Sequence, residues 1–223
     1  MSNQEAAVNL YDNDSYHDTR FTFDEKREIL WKTLVDSWFS KHISADACVV
    51  ELGAGYGHFI NNVRCRRRIA LDIWDGMLKY LREGVEGHVG PTDKLEFLQD
   101  NSVDYVFASN LFEHVSKDSF VSTLTQLRRV LKPGGTINIL QPNYRFCFNE
   151  YFDDFTHVAI WSDRSLSDFL DSMGFEVLEC WPRFLPLTVK SRLPVSPALI
   201  RLYLSLPVRP MGKQMFLRAK VRK

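Results

Sequence analysis

The sequence predicts a doubly wound α/β fold, and three observations carry the prediction. An apolar run, Val49-Val50-Glu51-Leu52, opens into three alternating glycines, Gly53, Gly55 and Gly57. A second apolar run, Arg68-Ile69-Ala70-Leu71-Asp72-Ile73, follows about one βαβ unit later and ends in an acid. Beyond residue 100 a strand, a helix and a Pro-Gly-Gly turn lead into another strand, so the strand-helix alternation of a parallel sheet is regular.

A short apolar run is the signature of a parallel strand buried on both faces. Glycines just past its end let backbone approach a ligand that a Cβ would block, and a helix is expected to start at that ligand. Dinucleotides are bound by G-x-G-x-x-G, whereas Gly53-Ala54-Gly55-Tyr56-Gly57 is G-x-G-x-G. That spacing favours S-adenosylmethionine (SAM), which has no pyrophosphate and presents an amino acid, a sulfonium and a ribose. Glu51 could face the methionine ammonium or a water bound to it, while the glycine-turn amides accommodate the carboxylate. A plain strand-to-helix turn with three glycines is the alternative. Asp72 at the end of the second strand offers two acceptor oxygens to two vicinal ribose hydroxyls, a signal shared with NAD enzymes. A solvated strand-end acid would look the same. Ile73 and Trp74 follow and could pack on the adenine face.

Ser102 to Ser109 reads as the fourth strand, and Asn110-Leu111-Phe112-Glu113-His114 as the polar turn after it. Leu124, Leu127, Val130 and Leu131 then recur at helical spacing. Lys132-Pro133-Gly134-Gly135 stops that helix, and Thr136 to Gln141 resumes as the fifth strand. A further helix is predicted to start near Ser162-Asp163, with a sixth strand over Gly174 to Glu179. Prolines punctuate the chain from Pro182 to Pro210. Between them Ala198 to Leu204 is helical and strongly apolar, and Lys213 to Val221 returns as the final strand.

Taken together these residues resemble the class I SAM-dependent methyltransferases, specifically the bacterial methyltransferase-11-like group. The resemblance rests on Glu51-Leu-Gly-Ala-Gly-Tyr-Gly, Asp72, Phe107-Ala-Ser-Asn-Leu-Phe-Glu-His and Leu131-Lys-Pro-Gly-Gly-Thr, and spans residues 47 to 141 closely. It implies a Rossmann-like, seven-stranded, mostly parallel sheet with helices on both faces and an antiparallel final strand. It also places Asn110 of the fourth-strand motif with Glu51, Gly53, Ala54, Gly55, Tyr56, Gly57, Asp72 and Ile73 at the cofactor. The chain departs from the pattern after the third strand, where many members carry an acid that meets the adenine amino group. Gly90 or Pro91 stands there, so Asp93 is a substitute contact or a turn-forming residue.

The chain has 223 residues, 45% of them hydrophobic, enough for one α/β domain. A formal net charge of zero offers no field to concentrate a phosphate polymer, which disfavours DNA or RNA as substrate. The basic run Arg64, Arg66, Arg67, Arg68 reads as a solvated cluster away from the ligand edge. Cys48, Cys65, Cys147 and Cys180 make neither C-x-x-C nor a metal spacing and read as reduced thiols, so no metal is expected. Without a signal peptide's apolar core or a run approaching roughly 18 apolar residues, the cytoplasm is expected.

Residues 1–23 are expected to form either a flexible lid carrying Tyr16 and His17 or a disordered terminus, and residues 24–223 the domain, beginning at Asp24 as a helix cap. Two acceptor-side or cover insertions fall at 142–162 and 182–212. In the first, aromatics interleave with acids and a histidine, which could wall a water-excluding pocket or simply pack on the core. Tyr144, His157 and, beside the fourth-strand turn, His114 are the candidate catalytic residues, with Asp153 and Asp154 as orienters. The apolar helix in the second insertion needs a cover: the sheet, a subunit partner, or peripheral membrane contact by 194–210, flanked by Lys190, Arg192, Arg201 and Arg209.

The activity these features support is methyl transfer from SAM, yielding S-adenosylhomocysteine, to a small-molecule acceptor. Oxygen of a sugar or of a natural-product or glycan pathway intermediate is the acceptor the resemblance suggests. Nitrogen and carbon acceptors stay open, as do a non-catalytic SAM-binding protein and a nicotinamide oxidoreductase.

Overall fold

The computed structural model describes residues 25–187 and 195–223. The expectations for 1–23, Tyr16, His17, Asp24, Lys190 and Arg192 lie outside the described residues. The first described helix is α1 (Glu25–Ser37), followed by a 3₁₀ turn, Phe39–His42. Then come β1 (Cys48–Leu52), β2 (Arg67–Asp72), β3 (Val85–Val89) and β4 (Val103–Ser109). Helix α2 (Lys117–Val130) leads into β5 (Leu131–Pro142), and a short α3 (Tyr144–Cys147) follows. The chain ends with α4 (Asp163–Ser172), β6 (Phe175–Leu185), α5 (Pro197–Ser205) and β7 (Gln214–Val221).

The seven strands form one sheet in the order β3-β2-β1-β4-β5-β7-β6. β1 to β5 are parallel, and β7 runs antiparallel between β5 and β6. Every residue of β1 is buried, as a central strand covered on both faces requires. Alternate residues feed two cores. Val50, Leu52, Ile69, Leu71, Val106 and Ala108 pack under α2 and α4 with Phe120, Leu124, Leu127, Leu166 and Leu170. Val49, Ala70, Tyr105 and Phe107 face the other way, toward Leu34 of α1, Phe39, Phe59 and Leu204 of α5. Progression from β1 runs outward through β2 and β3 on one side and through β4 and β5 on the other. The crevice at the carboxyl ends of β1 and β4 is therefore the switch point at which such sheets bind ligands.

Helix starts follow local chemistry. Ser116 caps α2, its side chain accepting the Ser119 amide. Ser162 and Ser165 form a reciprocal capping box at the predicted start of α4. One expectation fails: no α-helix follows the glycine turn, and residues 55–62 run as successive turns. Asn61 N–H bonds Gly57 O at 3.0 Å in helical fashion, but Gly57 to Ala54 and Asn62 to Phe59 are tighter i−3 bonds, and Gly57 is left-handed at φ +68°. β5 also begins earlier than expected, at Leu131, because Lys132 to Gly135 form a bulge inside the strand.

The expected cover of the apolar helix is supplied in part by α1, along which α5 lies, with Leu204 buried and Ile200 and Tyr203 partly so. Leu199, Leu202, Val208 and Met211 remain exposed. Arg209, expected as a flanking surface charge, is instead buried among Trp38, Trp181 and Phe184. No helix among the described residues is long and apolar enough to cross a membrane.

Candidate active site at the strand carboxyl edge

The glycine turn is held by the neighbouring strand. Gly53 and Ala54 N–H both donate to Leu71 O, at 2.8 and 3.2 Å. The Asp72 carboxylate accepts Gly55 N–H on one oxygen at 2.7 Å and Trp74 N–H on the other at 2.9 Å, tying the ends of β1 and β2 together. Gly53 is left-handed at φ +66°, and a Cβ there would stand 2.9 Å from Leu111 Cδ1. Asn110, after β4, is also left-handed at φ 49°, a conformation asparagine tolerates better than most residues, and its N–H is anchored on Leu140 O at 2.8 Å.

These turns enclose a cleft of about 590 Å³. Glu51, Gly53, Ala54, Gly55, Tyr56, Asp72, Ile73, Asp93, Asn110 and His114 all line it, so ten residues expected from sequence meet at one place. Glu51 is buried, accepts Ile60 N–H at 3.0 Å, and has its carboxyl raised well above the usual carboxylate range, chiefly by burial and further by the nearby Asp72 charge. Asp93 sits in a loop fastened by a 2.9 Å bond between Thr92 Oγ1 and Thr123 Oγ1 of α2.

Four expected contacts lie elsewhere, His157 among them. Gly57 does not line the cleft; it turns the chain against Asn61 and Leu81. Trp74 is buried in an aromatic cluster with Tyr56 and Tyr80 instead of facing the cleft, because the adjoining Gly76 leaves room for the indole. Tyr144 packs edge-on against Tyr151 at 5.2 Å and is not a lining residue.

His114 and His157, distant in sequence, come together with ring centroids 4.8 Å apart. Only His114 lines the cleft. Its Nδ1 lies 3.3 Å from Thr156 O and 3.0 Å from Thr156 Oγ1, whose own proton goes to Asp154 Oδ1 at 2.6 Å. Both partners of that nitrogen are therefore acceptors, so the neutral ring carries its proton on Nδ1 and its lone pair on Nε2. His157 is set the same way by Nδ1 donating to Tyr151 O. Beside them Glu113 is fully buried, and neither carboxylate oxygen has a hydrogen-bond partner. Burial pushes its carboxyl up to about 8.

Residues 50–139 match the family model described as Methyltransferase domain. Its match covers the glycine turn, Asp72 and the fourth-strand motif, and the sheet order and site geometry agree with it. Over those residues the chain is similar to the class I SAM-dependent methyltransferases. Among relatives, a malonyl-[acyl-carrier protein] O-methyltransferase of Methylococcus capsulatus is 32% identical over 146 residues, covering 58% of this chain and 52% of its own. Phosphoethanolamine N-methyltransferase 1 of Triticum aestivum is 31% identical over 123 residues, covering 49% and 23%. The chain spans about half the length of the first curated relatives it matches. In fold it is similar to a Haloferax volcanii putative methyltransferase solved in complex with the Trm112 methyltransferase activator. That pair has a TM-score of 0.65 at 18% identity and covers 88% of this chain and 91% of that one.

The cleft is also lined by residues that sequence reasoning missed. Arg27 and Trp31 of α1 and His58 of the turn after the glycines line the cleft. The i, i+4 spacing of Arg27 and Trp31 on one helix face was the available signal. Glu28 secures that helix to the domain by pairing with Arg82 and lying 3.6 Å from His58 Nδ1.

Proposed function

We propose that this domain transfers the methyl group of SAM to a small-molecule acceptor, in the cytoplasm. The observation that carries the proposal is that one cleft gathers Glu51, the glycine turn, Asp72, Asp93 and Asn110 together with His114. The cleft suits the cofactor in size, since small-molecule sites run from about 300 to 1,000 Å³. It suits it in shape as well: a Cβ added at Gly55 would meet no atom within 4 Å, so backbone there borders open space. Bound SAM supplies an activated methyl on a sulfonium.

The chain's own residues then have alignment as their main task, because the displacement is in-line and needs no activation of the leaving group. The turn amides would face the methionine carboxylate, Asp72 the ribose hydroxyls, and Asp93 or nearby backbone the adenine. An acceptor hydroxyl or amine must lose a proton, and His114 Nε2 is the basic atom on the cleft wall that would meet it. Oxygen is the acceptor atom we propose, supported by the Methylococcus capsulatus relative, with a sugar or other pathway intermediate as the acceptor class. The loop carrying His157 displays exposed Phe148, Phe152, Phe155 and Val158, surfaces on which the apolar face of such a ring can rest.

Calorimetric titration with SAM, S-adenosylhomocysteine and NAD tests the cofactor reading. Micromolar binding of both SAM forms without NAD is expected; binding of NAD alone would replace the methyltransferase reading with a nicotinamide one.

A further inference from the structure

We propose that Glu113, His114 and His157 form a divalent metal-ion site beside the cleft, with two imidazole ligands and one carboxylate. One ligand atom from each lies within 4.8 Å of the others, and His114 Nε2 is 4.0 Å from Glu113 Oε1. No sequence spacing signals this group, since His157 arrives from a loop beyond β5.

Three features make the cluster a built site. Glu113 is fully buried with both oxygens lacking a hydrogen-bond donor, an arrangement that costs free energy unless a cation or proton satisfies it. Both histidines have Nδ1 committed to backbone carbonyls, of Thr156 and Tyr151, which puts the ligating lone pair on Nε2. Metal-binding histidines are oriented in the same way. The loop is also registered on Glu113 itself: Val158 and Ala159 N–H donate to Glu113 O at 2.8 and 3.0 Å, and Trp161 Nε1 donates to Phe112 O at 3.2 Å.

The donor set selects the ion. Two imidazoles and a carboxylate suit Zn²⁺ and its first-row neighbours better than Mg²⁺ or Ca²⁺, which prefer all-oxygen shells. Tetrahedral bonds of 2.0–2.1 Å set ligand atoms about 3.3 Å apart, so the side chains close in by up to about 1.5 Å on binding. Three protein ligands leave one position open, and His114 borders the cleft, so that position can take an acceptor oxygen. This role rests on the methyltransferase reading and refines it: the ion holds the acceptor oxygen and acidifies its hydroxyl, whose proton passes to solvent, and His114 acts through the ion.

The test titrates the chelator-treated full chain with Zn²⁺ by calorimetry and with Co²⁺ by visible absorption, for wild type, Glu113→Gln and His157→Ala. One ion per chain is expected, with affinity at least about 10-fold weaker and the cobalt bands lost in His157→Ala. His157 sits on a surface loop, so this variant decides the matter if Glu113→Gln fails to fold. A wild type without stoichiometric binding, or a His157→Ala variant that binds equally well, overturns the site. SAM titration of the same samples separates the two readings. SAM binding without metal binding removes only the ion; metal binding without SAM binding keeps the ion and removes methyl transfer.

Discussion

The Asp72 carboxylate accepts the Gly55 amide at 2.7 Å, so the acid at the end of β2 shapes the glycine turn at the end of β1. Its second oxygen holds Trp74 N–H at 2.9 Å. A carboxylate oxygen can accept more than one hydrogen bond, so one side chain can both build the cleft wall and meet a ligand.

Asp72→Ala should therefore lose on two counts. SAM affinity is expected to fall by about 1 to 3 kcal/mol, and stability by a similar amount because two amides lose their acceptor. Asp72→Asn, which retains one acceptor oxygen, should recover part of the stability. Calorimetry and denaturant unfolding read the two effects separately; SAM affinity unchanged in Asp72→Ala would remove the ribose assignment.

Glu51 predicts a pH dependence whose sign follows from its raised carboxyl. In the unfolded chain it ionises near 4.5, while in the folded protein it holds its proton to higher pH. Above about 4.5 the unfolded state thus binds fewer protons, and this residue's contribution to stability declines as pH rises toward the folded value. Glu51→Gln keeps an acceptor for Ile60 N–H and removes the titration. The stability difference, variant minus wild type, should grow from pH 5 to pH 8 in urea unfolding, and a flat difference would contradict the assignment.

His114 and His157 should separate binding from chemistry. His157 does not line the cleft, so His157→Ala is expected to leave SAM affinity unchanged while lowering turnover by about 100-fold, within the range for a lost proton-handling or activating group. His114→Ala should lower turnover at least as much. Formation of S-adenosylhomocysteine in the presence of acceptor is the readout, and full turnover in His157→Ala would leave that residue a structural role only.

The glycine-turn side of the cleft was legible because its signals are local. A strand end, three glycines and an acid one βαβ unit away declare themselves within about 25 residues. Glu113 and His157 were not legible as a group, since their meeting depends on a loop whose Val158 and Ala159 amides return to Glu113 O. Trp31 escaped notice because an aromatic beside Ile29, Leu30 and Leu34 looks like core until α1 is docked. The expected helix after Gly57 failed for a local reason that spacing hides: a left-handed residue and i−3 bonds consume the short path to β2.

Arg209 shows the same limit and supplies a test of stability alone. A sequence reading puts this charge at the surface beside an apolar helix, yet it is 2% exposed, with its guanidinium carbon 4.6 Å from the Trp38 ring, 4.2 Å from Trp181 and 4.7 Å from Phe184. One nitrogen donates to Leu204 O at 2.8 Å, fixing the end of α5, while Nε and Nη1 have no hydrogen-bond partner. Attraction to three ring faces and packing offset the desolvation of the charge. Arg209→Ala leaves the aromatic slot unfilled and should cost about 2 to 4 kcal/mol. Arg209→Met fills the slot without burying a charge and should cost less than half as much. Neither should change SAM affinity, because Arg209 lies outside the cleft. If alanine and methionine destabilise equally in urea unfolding, the charge itself holds the cage and packing does not.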